Sequence, residues 1–133
     1  MKYSKTPILF AIATATLLLY GCFLGPEREQ CTGRLILENA IPDTTVAVGD
    51  TLFIDLANPP VFVSSEGEVT YLFQALTNGT NIDLNRMENA NDDGKFTLLI
   101  VIGLARGETR AEVTGKDGCL ENSTTFDITI TEQ

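Results

Sequence analysis

Apolar and polar residues alternate along most of this chain, and this period of two constrains the fold more than any other feature. The clearest run is 124–131, in which Phe126, Ile128 and Ile130 alternate with Thr and Asp residues. Successive side chains of a β-strand point to opposite faces, so such a run predicts a strand with one buried face. No stretch after residue 22 shows a sustained helical period.

Seven further segments have a similar strand-like character. They are 34–38, 44–48, 51–56, 69–75, 81–84, 95–102 and 109–116. Turn-forming pairs such as Asn78-Gly79 and Asp117-Gly118 separate them. Seven or eight short strands with such turns predict an all-β Greek-key sandwich.

The order of these strands and turns resembles the immunoglobulin-like and cadherin-like domains of bacterial surface proteins. The similarity runs from about Ile41 to Ile130, and its motifs include Val46-Ala47-Val48-Gly49-Asp50 and the closing hairpin, 112–118 followed by 125–130. The resemblance implies an immunoglobulin-like Greek-key sandwich of seven to eight strands. It is a similarity of architecture, because the chain has no Trp to match the buried Trp of antibody domains.

The N-terminus has the features of an export signal. Lys2 and Lys5 precede an uncharged apolar stretch, 6–20, which is shorter than the roughly 20 residues of a transmembrane helix. The following Leu19-Tyr20-Gly21-Cys22 resembles the signal box of bacterial lipoproteins. That resemblance implies cleavage before Cys22, a diacylglycerol thioether on its sulfur and an acyl chain on the new amine. The alternatives are an ordinary secretory signal with an incidental cysteine, or an uncleaved anchor.

These features predict three parts of the chain. Residues 1–21 would be a helical lipoprotein signal peptide, residues 22–30 a lipidated tether, and residues 31–133 the sandwich. We expect a lipid-anchored protein of the bacterial cell envelope, facing the periplasm or the cell surface. The outer membrane is favoured, because Phe23 stands where lipoproteins retained in the inner membrane often have Asp.

The remaining cysteines predict a disulfide. With Cys22 assigned to lipid, Cys31 and Cys119 form a pair in a compartment that permits disulfides. In an immunoglobulin-like sandwich the start of the chain and the last hairpin turn lie at the same end, so the two residues would be neighbours. The alternative is two free thiols.

Composition argues against catalysis and nucleic-acid binding. The chain has no His, so the usual base near neutral pH and imidazole metal ligands are absent. Its 18 acidic and 9 basic residues give a net charge of −9, which repels nucleic acid. We therefore expect a non-enzyme without a cofactor, apart from the covalent lipid on Cys22.

One polar loop is a candidate for calcium binding. It contains Asn89, Asn91, Asp92 and Asp93, whose side chains offer the oxygen ligands that calcium prefers. They resemble loosely the acidic linkers of cadherin-like domains but complete no ligand motif. The alternative is a polar turn.

Two other loops are candidate contact sites. Val61 and Phe62 follow Asn58-Pro59-Pro60, and an apolar loop tip could contact a partner or fold back to cap the sandwich. Asn78 and Arg106 belong to turns expected at the opposite end, where they could contact a partner or be solvated.

The predicted function is a membrane-anchored, non-catalytic module for binding, adhesion or structure, with an envelope protein or glycan as partner. One alternative is a protease inhibitor, since a strand followed by Asn58-Pro59 resembles the chagasin-type inhibitors, which are immunoglobulin-like. The later loops of that family are absent. The other alternative is a spacer subunit of an envelope complex.

Overall fold

Nine strands make up the part of the chain that the structure, a computed structural model, describes, namely residues 31–133. In chain order they are β1 (Leu35–Leu37), β2 (Thr44–Ala47), β3 (Thr51–Asp55), β4 (Phe62–Ser64), β5 (Thr70–Ala75), β6 (Ile82–Asn89), β7 (Lys95–Gly103), β8 (Gly107–Asp117) and β9 (Leu120–Thr131). A 3₁₀ turn, Gly79–Asn81, precedes β6. The predictions for the signal peptide, the tether and Cys22 lie outside the described residues.

The strands form two main sheets with immunoglobulin-like connections. One sheet has the order β2-β9-β8-β5 and the other the order β3-β7-β6, while β1 and β4 form a separate pair. All pairings are antiparallel except that of β2 with β9, which is parallel. The predicted immunoglobulin-like β-sandwich is therefore confirmed.

The alternating residues identified in the sequence form the core. Leu99 and Val101 of β7, Val113 of β8 and Ile128 of β9 are completely buried and belong to one hydrophobic cluster. Each lies in a strand whose neighbouring positions point away from the core. Two sheets with such faces can stack only face to face, which places the core between them.

Three elements differ from the sequence-based expectation. The strand expected at 81–84 continues to Asn89 as β6, the strand expected at 124–131 begins at Leu120 as β9, and β4 was not expected at all. β4 has only three residues, which is too short to show a period. It forms because Leu37 and Phe62 lie opposite each other, as do Leu35 and Ser64, in an antiparallel pair with β1. Within residues 31–133 no helix is long and apolar enough to cross a bilayer.

Candidate interaction surfaces

The disulfide between Cys31 and Cys119 is present, as predicted. The two Cα atoms are 6.0 Å apart, within the usual range for a disulfide. The bond joins the start of the sandwich to the turn between β8 and β9. Nearby, the Asn122 side chain donates a hydrogen bond to the Leu35 carbonyl at 3.1 Å, so β1 is held to the last hairpin by both links.

Of the two alternatives for the loop with Val61 and Phe62, the structure shows capping and not an exposed contact loop, because both side chains belong to the core. Val61 is 3% exposed and Phe62 2% exposed. The Val61 N–H donates to the Leu56 carbonyl and the Val61 carbonyl accepts from Glu38, each at 2.9 Å. The Phe62 ring lies 6.3 Å from the Tyr71 ring. The loop folds back over the sandwich, which is the capping alternative.

The structure places Asn78 and Arg106 in two turns at the end of the sandwich opposite the disulfide. The Asn78 side chain donates to the Glu108 carbonyl at 2.9 Å, and its own carbonyl accepts from the Thr109 hydroxyl at 3.1 Å. Asn78 therefore supports the turn. Arg106 is exposed and lies 3.4 Å from the Glu132 carboxylate, which is equally exposed. A contact role for either residue stays a prediction.

The polar loop proposed for calcium forms a closed turn. The Asn89 side-chain oxygen accepts from the Asn91 N–H at 3.0 Å, and its carbonyl accepts from the Asp92 N–H at 2.9 Å. The Asp92 carboxylate lies 3.9 Å from the Lys95 ammonium. In the part of the chain that is described, no three acidic, His or Cys side chains are grouped to hold a metal. The hydrogen bonds of the polar turn account for the positions of Asn89, Asn91 and Asp92, and calcium binding at this loop stays a prediction.

Sequence reasoning missed an apolar surface on the outer face of the β3-β7-β6 sheet. The central strand β7 carries Leu98, Ile100 and Ile102 on this face, half-buried. Phe53 of β3 lies opposite Ile100, and Met87 of β6 lies opposite Leu98. Phe53 is 54% exposed and Met87 44% exposed. We call these five residues the apolar face.

Polar side chains border the apolar face. Asp55 of β3 lies opposite Leu98, and Asp83 of β6 lies opposite Ile102. Asn85, next to Asp83 on the same face, donates to the Asp83 carboxylate at 2.9 Å. An apolar centre with a polar rim is the usual anatomy of a protein–protein interface.

The outer face of the other sheet is polar apart from Leu72 of β5. Arg110 of β8 makes two hydrogen bonds with the carboxylate of Asp127 on β9, at 2.7 and 2.9 Å. Lys116 pairs with Glu121 at 2.8 Å. The contact with Arg110 lowers the pKa of Asp127 and raises that of the guanidinium. Such a ladder of paired charges is suited to water, so the two outer faces of one sandwich differ in chemistry.

The sequence does contain a signal for the apolar face. Segment 96–102 has apolar residues at six of its seven positions, so both faces of β7 are apolar. In a two-layer sandwich only one face of each sheet is covered by the other sheet. An apolar second face on a central strand therefore indicates a surface that another molecule could cover.

Comparison with known proteins supports the fold. No protein-family model matches the chain, and no curated protein matches it in sequence. The solution structure of the PKD domain from KIAA 1837 protein is similar, with a TM-score of 0.50 and 17% sequence identity, over 82% of this chain and 94% of that domain. The titin M3 domain is also similar, with a TM-score of 0.45 and 13% identity, over 77% of this chain and all of that one. Together with the strand order, the first of these similarities shows that the chain has an immunoglobulin-like β-sandwich fold.

Proposed function

We propose that this protein is a lipid-anchored module of a bacterial cell envelope that binds a partner protein through the apolar face and performs no chemistry itself. The observation that carries the proposal is the contrast between the two outer faces. One displays paired charges, while the other displays Phe53 and Met87 at the sides of an apolar strand. Covering exposed apolar side chains with a partner is favourable by about 25 cal/mol for each Å² of apolar surface removed from water.

Charge complementarity indicates the kind of partner. The rim of the apolar face carries Asp55 and Asp83, and the whole chain has a net charge of −9. We therefore infer a protein whose own apolar surface is bordered by Lys and Arg side chains. A second copy is the poorer occupant of this face, because it would bring two acidic rims together.

The lipid anchor rests on the signal-like N-terminus and on Cys22. Acylation of both the sulfur and the amine would give a stable attachment, since one chain alone binds a membrane only marginally. An anchor of this kind would keep the sandwich beside envelope proteins. It would also raise the local concentration of the apolar face around them.

Mass spectrometry and fractionation test the anchor. We expect the protein purified from its native membrane to begin at Cys22 and to carry diacylglycerol and an acyl chain. The variant Cys22→Ser should leave the membrane fraction or accumulate with its signal attached. Recovery of an unmodified chain beginning at Met1 from the native membrane would contradict the proposal.

Site-specific photo-crosslinking tests the binding face. A crosslinking residue at position 53 should give a defined adduct in intact cells, whereas the same residue at Thr129, exposed on the polar outer face, should not. Met87→Lys should weaken the adduct from position 53. The matched control Leu104→Lys, at another exposed apolar position, should not. Equal adducts from positions 53 and 129, or no effect of Met87→Lys, would rule out this surface.

A further inference from the structure

We propose that the free edge of β5 pairs with β5 of a second copy of this chain. The two strands would run antiparallel and join two four-stranded sheets into one sheet of eight strands. This self-association uses a different surface from the apolar face and does not depend on the lipid anchor. It is therefore independent of the function proposed above.

The hydrogen-bond pattern of β5 shows which backbone groups are available. β5 pairs with β8 on one side, in a register that places Tyr71 opposite Gly115 and Ala75 opposite Ala111. The next residue in that register, Leu76, donates its N–H to the Arg110 carbonyl at 2.7 Å. Residues of an antiparallel pair alternate between bonded and non-bonded positions. Thr70, Leu72 and Gln74 therefore also bond to β8.

The remaining residues of β5 present their backbone groups to the free edge. These residues are Tyr71, Phe73 and Ala75, which together carry three N–H and three carbonyl groups. Within residues 31–133 no strand pairs with this edge of the sheet. A row of such groups is a template for another strand.

The edge is complementary to itself. If Phe73 lies opposite Phe73 of the second copy, Tyr71 lies opposite Ala75 of that copy, and Ala75 lies opposite its Tyr71. All six groups on each strand then belong to bonded pairs. The same register places Leu72 beside Gln74 of the second copy on the outer face of the joined sheet. A two-fold axis through Phe73 would thus satisfy every free backbone group of both strands.

The other sheet edges lack this character. β6 has charged residues at Asp83, Arg86 and Glu88 and an irregular register between Met87 and Asn89. β3 ends in Asp55, and β2 has only four residues. Proteins protect sheet edges with charges, bulges, proline or short strands. β5 has the sequence TYLFQA, which contains no charged residue, no bulge and no proline. With six residues it is also not a short strand.

Local charges allow two copies to approach. The net charge of −9 opposes association in general. Beside β5, however, the Gln74 amide donates to the Glu112 carboxylate at 2.9 Å, and Lys116 neutralises Glu121 at 2.8 Å. β5 itself carries no charged side chain, so it offers no carboxylate to a basic partner, whereas an identical uncharged strand can pair with it. A single pair of strands is a small interface, so we expect a weak dimer.

Sedimentation of the segment 31–133 tests the proposal, because this segment is one compact unit with its own core and disulfide. We expect a monomer–dimer equilibrium between about 10 μM and about 1 mM, the affinity range of small interfaces. Leu72→Lys, at a position 48% exposed, should weaken dimerisation at least about tenfold, because it places lysines near the two-fold axis. The control Leu104→Lys should dimerise like the wild type.

Amide hydrogen exchange identifies the surface without any substitution. The amides of Leu72 and Gln74 should be protected at all concentrations, because they bond to β8. Those of Tyr71, Phe73 and Ala75 should gain protection as the concentration rises. A protein that stays monomeric to about 1 mM would overturn the proposal. So would a dimer in which these three amides still exchange freely.

Discussion

At the scale of single residues, Tyr71 links β5 to the segment that follows β3. Its side chain is buried, and its hydroxyl donates to the Leu56 carbonyl at 2.9 Å. The same carbonyl accepts the Val61 N–H. Tyr71 therefore holds β5 to the segment that brings Val61 and Phe62 into the core. Burial raises the pKa of the phenol.

The substitution Tyr71→Phe should lower the free energy of unfolding by about 0.5–1.5 kcal/mol, the net value of one hydrogen bond. The loss should be modest, because the Leu56 carbonyl keeps its bond from Val61. Urea unfolding of the segment 31–133 measures it. A loss above about 3 kcal/mol would show that the hydroxyl supports more than this bond.

The raised pKa also predicts a dependence on pH. The unfolded phenol ionises near pH 10, whereas the folded one ionises at higher pH, so unfolding becomes easier as the pH rises above about 10. The stabilisation that comes from the raised pKa is fully present below about pH 10, and Tyr71→Phe should remove this dependence on pH. Tyr71 is the one tyrosine in 31–133. Phenolate absorbance of that segment therefore reports its titration, and a midpoint at or below 10 would contradict the prediction.

Gly115 is another residue on which the core depends. A Cβ atom at this position would lie 2.6 Å from Cδ2 of Phe62 and 3.1 Å from Cγ1 of Val69. Gly115→Ala should therefore destabilise the protein by about 1–3 kcal/mol, the usual effect of overpacking. Thermal unfolding measures this loss. Phe62→Leu in the same background should recover part of it, and strictly additive effects would show that the two residues do not compete for space.

At the scale of elements, the short strands β1 and β4 depend on links to the last hairpin. β1 follows the disulfide at Cys31, and the Ser64 hydroxyl of β4 donates to the Asp117 carboxylate at the end of β8. Three-residue strands make few ladder bonds of their own. Their positions therefore depend on these side-chain and covalent connections.

Removing the disulfide should test that dependence. The double variant Cys31→Ser, Cys119→Ser should lose up to about 4–5 kcal/mol of stability, since the bond closes a span of 88 residues. Amides of β1 and β4 should exchange faster than those of β7. Urea unfolding with and without reductant measures the loss. Reductant should destabilise the wild type but not the double variant. Equal stability of the two proteins without reductant would contradict the prediction.

At the scale of the whole molecule, the excess of acidic residues should oppose folding. The net charge is −9, and carboxylates repel one another more strongly in the folded state than in the expanded chain. We expect the melting temperature to rise as NaCl increases from low salt to about 0.2 M, where the Debye length falls below about 8 Å. The rise should then level off. A steady linear rise to high salt would indicate a general salt effect instead of charge screening.

Alternation in the sequence was enough to predict eight of the nine strands and which side chains of β9 enter the core. The two cysteines and the order of the strands also predicted the disulfide. These features are local or topological, since a period of two sets the side-chain faces wherever the strand lies. The strand β4 was missed because three residues show no period.

Phe53 and Phe62 show where the sequence stops deciding. Both are phenylalanines among apolar neighbours, yet Phe62 is buried and Phe53 is exposed. The sequence by itself determined the strands, the turns and the cysteine pair, because each depends on neighbours along the chain or on a simple order of strands. Tertiary structure alone decided that Val61 and Phe62 fill the core, that the apolar face stays uncovered and that one edge of β5 is free. Burial and pairing depend on which sheet lies opposite, and that is a property of the whole fold.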